Sequence, residues 1–292
     1  MKDKNRLDKI GIITKRDNDH SQEFIKKNYD YLKKNKKKIF LDKNSFSLFA
    51  NEKSYSKEDI LNSCDLVIVL GGDGTLLKTA RSSSKKKTLV FGVNMGTLGF
   101  LTECNHIKTF DCLDKIFAGQ YFIDKRALLR VTTYRKNEKI ETHLALNDAV
   151  INQGAFARLI KMNLEVNNRK LVSFEADGLI VSTPTGSTAH SLSAGGPIVH
   201  PQIQGLVVNP ICPKSLSMRP IILPDTRQLT ITIETQRKEE SALIGLTLDG
   251  QDMTILQYGD KIKFRRSKRS LYLVRVKNKY YKMLRTKLNW GI

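Results

Sequence analysis

Short apolar runs alternate with polar, helix-patterned stretches through the first third of the chain, which predicts βαβ units and a mainly parallel sheet. Ile10 to Thr14 reads as the first strand, Ser21 to Lys36 as a helix with Phe24, Tyr29 and Leu32 on one face, and Lys38 to Leu41 as the next strand. Asp65 to Leu70 reads as a buried strand that runs into Gly71-Gly72-Asp73-Gly74, with Thr75 to Ser84 as a helix and Leu89 to Val93 as a further strand. After about Gln120 the texture changes to repeated strand-like segments: Leu128 to Tyr134, Leu144 to Asn152, Lys161 to Val166, Leu179 to Thr183, Leu229 to Glu234, Ser241 to Leu248, Lys261 to Arg265 and Leu271 to Val276. Tyr280 to Ile292 is mixed in character. The predicted fold is α/β plus all-β. A doubly wound, mainly parallel α/β domain is expected over residues 1–124 and a β-rich domain over 125–270, with residues 271–292 packing back on the first.

Composition narrows the class. A chain of 292 residues, 40% hydrophobic and 27% charged, can bury a core. No run of about 18 apolar residues is present, and the first residues lead straight into a strand-like segment, so a cytoplasmic enzyme is expected and a membrane partner is not. Cys64, Cys104, Cys112 and Cys212 show no C-x-x-C spacing, which favours neither a zinc site nor a disulfide framework. The formal charge of +21 attracts phosphate-bearing ligands of any kind. The clusters Lys33 to Lys38 and Lys85 to Lys87 read as solvated helix ends and loops, so no specific nucleic-acid partner is expected.

Two stretches carry the chemistry. Gly71, Gly72 and Gly74 stand where a strand must turn sharply into a helix, a place where unpaired N–H groups and a helix N-terminus favour phosphate. Neither a P-loop nor a dinucleotide fingerprint is present. Asp73, between glycines, either caps the following helix or accepts a bond or proton from a sugar hydroxyl. Lys78, four residues beyond Gly74, is a surface lysine within reach of phosphates held at that helix start. A second glycine turn, Asn94 to Thr102, follows the next strand and would lie beside the first. Between Asp177 and Pro201, hydroxyls and glycines crowd around Ala189, Leu192 and Ala194, which suits an ordered binding surface better than a flexible loop.

With GGDGTLL at 71–77, NMGTLGFLT at 94–102, LND at 146–148 and DGLIVSTPTGSTAHSLSAGGP at 177–197, the chain resembles the NAD kinase family. The resemblance continues through Ser217-Met218-Arg219-Pro220 and Asp249-Gly250-Gln251. It implies a homodimer or homotetramer of NADP biosynthesis that phosphorylates NAD from ATP or another donor, with the active site in the crevice between the two domains. It also implies that Asp73 is the base for the ribose 2′-hydroxyl, with Gly74 beside it. Asn147 and Asp148 would hold the adenosine ribose. Thr188, Ala189, His190, Ser191, Leu192 and Ser193 would line the dinucleotide pocket, Asp177 would lie near the nicotinamide amide, and Arg158 and Gln251 would contact ligand.

Three positions depart from the family pattern: Asp148 replaces the usual Glu, His190 an aromatic residue, and Glu175 a basic residue of some members, which leaves the choice between NAD and NADH open. A carboxylate is a feeble base toward a sugar hydroxyl, so alignment and charge neutralisation must drive the transfer. Mg²⁺ bridging the triphosphate is expected, carried in by the nucleotide because no Asp/Glu cluster marks a protein cage. GGDGT alone also resembles diacylglycerol and sphingosine kinases, and a noncatalytic NAD- or nucleic-acid-binding module is the rival from another class.

Overall fold

A computed structural model of the chain describes residues 7–15, 19–46, 48–49, 52–96, 99–153, 159–234, 244–289 and 291. The chain divides into two compact units, residues 1–125 with 270–292, and residues 126–269.

The first unit opens with β1 (Lys9–Thr14), α1 (Asp19–Lys34), β2 (Lys38–Asp42), α2 (Lys43–Phe46), β3 (Ser54–Tyr55) and α3 (Lys57–Ser63). It continues through β4 (Leu66–Leu70), α4 (Asp73–Arg81), β5 (Leu89–Asn94), β6 (Cys104–Asn105) and α5 (Thr109–Phe117). Every strand pair among these is parallel, in the order β3-β2-β1-β4-β5-β6. The apolar run of β4 is buried along its whole length, as a strand covered on both faces must be. Because the chain winds outward from β1 to β3 and returns to β4 on the other side of β1, the sheet has a switch point between β1 and β4. Ligands bind at the carboxyl ends of strands at such a point, and Gly71 to Gly74 follow β4 directly.

The second unit comprises most of β7 (Phe122–Arg135), β8 (Glu138–Ala145), β9 (Asp148–Gln153), β10 (Ile160–Val166), β11 (Arg169–Ser182), the short α6 (His190–Ser193), β12 (Gly205–Pro213), β13 (Ile221–Pro224), β14 (Leu229–Ile233), β15 (Ile244–Leu248), β16 (Asp252–Leu256) and the first part of β17 (Lys261–Arg275). Its pairings are antiparallel, with β9 flanked by β11 and β15. Lys136-Asn137 and Asn167-Asn168 turn the β7–β8 and β10–β11 hairpins with both residues left-handed, which matches the twist of the flanking strands. Leu129, Ile151, Met162, Leu179, Ile231 and Phe264 belong to its buried core.

Several boundaries differ from the sequence expectation. The helix after the glycine turn starts at Asp73 and not at Thr75, with Gly72 as a cap that offers no side chain. The single strand expected over Leu144 to Asn152 is two strands, interrupted at Leu146 and Asn147. The segments Lys261 to Arg265 and Leu271 to Val276 are one strand: its beginning pairs with β14 and its end with β5, so the polar stretch between them is continuous extended chain. The mixed C-terminal stretch contains α7 (Tyr280–Leu288), which buries Met283 and Leu284. Residues 241–243 of the expected strand at Ser241 lie outside the described residues. Among the described residues no helix is long and apolar enough to cross a membrane.

A buried ion network ties the end of β17 to the loop before β6. Arg275 donates to the carbonyls of Leu101 (3.0 Å), Thr102 (3.2 Å) and Phe100 (3.2 Å), and pairs with Asp124 (3.2 Å) and Glu103 (3.6 Å). Glu103 also takes Lys279 at 3.1 Å. Removing the guanidinium would take a charge partner from Asp124 and from Glu103, which keeps Lys279, and a donor from three carbonyls. Arg275→Met is therefore expected to cost about 3 to 5 kcal/mol in urea unfolding; a loss below about 1 kcal/mol, the scale of an exposed pair, would show that the network carries little.

Candidate active site

In the first unit the glycine turn and its aspartate are held by backbone. Asp73, the first residue of α4, turns its carboxylate away from its own helix and onto the second glycine turn. Oδ2 accepts the Phe100 N–H at 2.8 Å, and Oδ1 accepts those of Leu101 and Thr102 at 3.2 and 3.3 Å. A Cβ on Gly99 would stand 2.2 Å from Oδ1, so only glycine permits this approach. Thr97 and Leu98 of that turn lie outside the described residues. Gly71 is buried against Thr75, Gly72 has open space beside it, and Gly74 and Lys78 are exposed.

Sequence reasoning missed two cations near Lys78. Burial pushes the Lys57 ammonium down, Asp42 opposes this, and Lys78 and Arg81 push it further down. Lys57 opens α3 and Lys78 lies midway along α4, whereas Arg81 closes α4, a helix length from the glycine turn. Asp42, itself pushed up by burial, is anchored by the Ser45 hydroxyl at 2.6 Å and the Ser45 N–H at 2.9 Å.

In the second unit the start of β9 is the focus. Register pairs Asp148 with Ser182 at the end of β11, and Ala149 with Leu248 at the end of β15. Three segments therefore meet: Leu146 to Asp148, the turn Thr183 to Ser193, and Asp249 to Gln251. Asp249, left-handed at φ 51°, accepts three successive amides, from Leu146 (3.0 Å), Asn147 (2.7 Å) and Asp148 (3.2 Å). This contact breaks the strand expected over 144–152 and was invisible to local patterning, although the Asp-Gly dipeptide is a recognised hairpin signal. Thr183 ties the same segment from the other side, its N–H to the Asn147 carbonyl at 2.8 Å and its hydroxyl to the Leu146 carbonyl at 2.6 Å. Gly186 is packed so closely that a Cβ would lie 2.2 Å from the Asn147 oxygen.

Within this frame several polar side chains are buried without a hydrogen bond. Both carboxylate oxygens of Asp148, the Ser191 hydroxyl and the Asn209 amide oxygen are in this condition. Asp148 is fully buried, and His190 Nδ1, on an exposed ring that lies against Gly250, approaches Oδ1 only to 3.6 Å. Burial pushes the Asp148 carboxyl from 3.8 up to about 6; His190 acts against this and the Asp249 carboxylate adds to it.

The remaining positions fall as follows. Asn147, Thr188, Ala189, Leu192 and Gln251 are half-buried, Ser191 is buried, and Ser193 is exposed, all on the three meeting segments. Glu175 and Asp177 lie further back along β11, seven and five residues before Ser182, or roughly 15 to 25 Å at strand rise. Within one chain they do not join the Asp148 cluster. Glu175 is paired with Lys214 at 2.8 Å beside a groove of about 470 Å³ that Phe174 and Met218 also line. Arg158 lies outside the described residues.

A switch-point glycine turn followed by a β-rich unit that presents orphaned hydroxyl, amide and carboxylate groups defines a nucleotide-directed phosphotransferase. The family descriptions "ATP-NAD kinase N-terminal domain" and "ATP-NAD kinase C-terminal domain" match residues 10–121 and 146–276. The chain belongs to the NAD kinase family. NAD kinase of Geotalea daltonii is 45% identical over 236 residues, 80% of this chain and 82% of the relative; that of Geobacter metallireducens is 42% identical over 247 residues, 84% and 86%. Among solved structures, a yeast NADH kinase complexed with NADH superposes with a TM-score of 0.89 at 26% identity, covering 99% of this chain and 89% of the other. An NAD kinase from Archaeoglobus fulgidus in complex with ATP gives 0.72 at 25% identity, covering 96% and 98%.

The Asp148 carboxyl yields a pH prediction. Its folded pKa is raised above the unfolded value, so the fold binds the proton more readily; the stability this gives is present below about pH 4 and lost as pH rises through about 6. Asp148→Asn is expected to raise stability at pH 7.5 by about 2 to 3 kcal/mol, with no gain at pH 4. An equal effect at both pH values in thermal melts would show that the buried charge is not the cause.

Proposed function

We propose that this enzyme transfers the terminal phosphoryl group of ATP to the 2′-hydroxyl of the adenosine ribose of NAD, giving NADP. The observation that carries the reading is the pairing of two features: an amide-bound aspartate at a phosphate-type turn, and a buried cluster of polar groups without partners. Such groups are costly unless a ligand satisfies them, and a ribose offers hydroxyls that both donate and accept. In this reading Asn147 and Asp148 hold the adenosine ribose, while Thr188 to Ser193 and Gln251 line the dinucleotide site. Asp177 serves the nicotinamide amide, and Arg158 contributes a ligand contact.

Asp73 is the base. An ionised carboxylate has about four acceptor positions, and three are taken by amides, which leaves one on Oδ2 for the hydroxyl. The amides fix its direction, so the hydroxyl meets an oriented oxygen. The proton moves to that oxygen as the hydroxyl attacks the terminal phosphorus, and the bond from that phosphorus to the bridging oxygen breaks, releasing ADP. Positioned general-base help is worth roughly 10²- to 10⁴-fold, and the rest comes from alignment and from charge placed around the phosphates.

The Gly71 N–H is held by the Val93 carbonyl at 2.9 Å and shapes the turn, so Gly72 and the positive end of α4 face the triphosphate, with Gly74 beside Asp73 and Lys78 supplying a cation. Mg²⁺, bound to the triphosphate, would neutralise its charge. Two further readings belong to this proposal: a cytoplasmic location, and assembly as a homodimer or homotetramer, which would let Glu175 and Asp177 serve a site other than that of their own chain.

Asp73→Asn is expected to lower kcat by about 10²-fold or more with a smaller change in KM. Full turnover in that variant would remove the base and leave Asp73 an anchor for the second glycine turn. Side-by-side incubations with ATP, Mg²⁺ and NAD, NADH or diacylglycerol, read by chromatography, should give phosphorylated dinucleotide and no phosphorylated lipid. Lipid product alone would overturn the assignment, and the ratio of the two dinucleotide rates measures the preference at Glu175.

A further inference from the structure

The three residues that carry the Asp73 carboxylate are gripped on their far side as well. Phe100, Leu101 and Thr102 give Asp73 their N–H groups, and the carbonyls of the same three residues accept from the Arg275 guanidinium. A planar trans peptide points its N–H and its C=O in opposite directions. The peptide joining Phe100 to Leu101 has its N–H on Asp73 Oδ1 and its C=O on Arg275 Nη2. The peptide joining Leu101 to Thr102 has its N–H on Oδ1 and its C=O on Nη1. Two peptide planes are thus spanned between an anion and a cation, and neither can turn without breaking a charge-assisted bond at each end.

Arg275 is itself fixed. It closes β17, whose end runs beside β5 with Leu273 opposite Val90. The side chain is buried, its Nε donates to Asp124, and Glu103 lies 3.6 Å from Nη1. Glu103 accepts from Lys279, the cap of α7, on both its carbonyl and its carboxylate, and its own N–H returns to the Gly92 carbonyl at 2.8 Å. Such an array needs arginine: five N–H groups lie in one rigid plane, whereas a lysine ammonium donates from a single point. On the other side the carboxylate has no slack, since a Cβ on Gly99 would stand 2.2 Å from Oδ1.

We propose that Arg275 is a positioning residue for the base: by holding the carbonyls of residues 100 to 102 it keeps their N–H groups converged on Asp73, so that the open acceptor position on Oδ2 faces the ribose hydroxyl. The proposal rests on Asp73 acting as the base. It gives the end of β17 a part in the reaction and, through Lys279 and Glu103, gives α7 one too, although neither element carries a glycine motif. With the carbonyls released, the two peptide planes are free to turn and the carboxylate loses its direction. A misplacement of about 1 Å at a reacting group costs roughly 10²-fold in rate, so the loss falls on turnover and leaves the affinity for both substrates in place.

A double-mutant cycle on the full chain tests this, with kcat for NAD phosphorylation expressed per folded site and the sites counted by calorimetric titration with NAD. Arg275→Lys keeps the cation and loses the fork. Alone it should lower kcat about tenfold or more, with the Kd values for NAD and ATP within about twofold of wild type. In an Asp73→Asn background the same change should lower kcat by less than about twofold, because the group it positions has gone. Asp124→Asn removes one charge partner of Arg275 and leaves the three carbonyl bonds; it should lower the urea midpoint and hold kcat within about twofold of wild type. Equal falls in both backgrounds, a fall in Asp124→Asn as large as in Arg275→Lys, or a loss carried by the Kd for NAD would overturn the proposal. Full turnover in Asp73→Asn alone would remove the base itself and Arg275's part with it. The expected fall in Asp73→Asn with none in Arg275→Lys would remove the positioning role and leave the base standing. Should Arg275→Lys not fold, the cycle is run with Arg275→Gln; failure of both to fold would assign the residue to the fold and not to the reaction.

Discussion

Two carboxylates hold backbone where side chains alone would not. Asp73 collects the N–H groups of residues 100 to 102, and Asp249 those of residues 146 to 148. In each case a loop that cannot pair its amides in a strand ladder pairs them with a single ion, and charge-assisted bonds of this kind contribute about 1.5 to 3 kcal/mol each. The consequence is directional. The Asp249 contact ends β8, starts β9 and aims Asn147 and Asp148. The Asp73 contact fixes the second glycine turn against the first, while Arg275 takes the carbonyls of the same residues from the other side.

A backbone fixed in this way tolerates side chains that would otherwise be costly. The unpartnered oxygens of Asp148, Ser191 and Asn209 sit within an otherwise well-satisfied region, where Ser187, Thr183 and Gly196 all complete hydrogen bonds. Each buried polar group left unpaired costs about 1 to 3 kcal/mol. Their concentration at one place fits a site that gives up stability for binding.

Much of this was legible in the chain. The parallel strands announced themselves as apolar runs, and the glycines after β4 marked a sharp turn, while the switch point became visible only from the order in which the strands pair. The partners of Asp73 were not legible, since they are amides of residues 100 to 102 and amides carry no sequence signature. For the same reason the break at Leu146 and Asn147 could not be read locally; its cause is an aspartate about a hundred residues away. β17 was split in two because its middle is polar, yet a strand that changes partner along its length needs no continuous apolar face. Glu175 and Asp177 were grouped with Thr188 by resemblance, and the length of β11 separates them within the chain. Lys57 and Arg81 were passed over because single cations in a chain with fifty Lys and Arg carry no distinguishing pattern.

A crystal structure of the chain with NAD and a non-hydrolysable ATP analogue tests the account most directly. The account requires the free lone pair of Asp73 Oδ2 to lie within about 3 Å of the ribose 2′-oxygen, with the Asp148 carboxyl bonded to the same dinucleotide and the amides of residues 100 to 102 still in place. A bound dinucleotide whose 2′-oxygen meets a different base, with Asp148 still unpartnered, would contradict it.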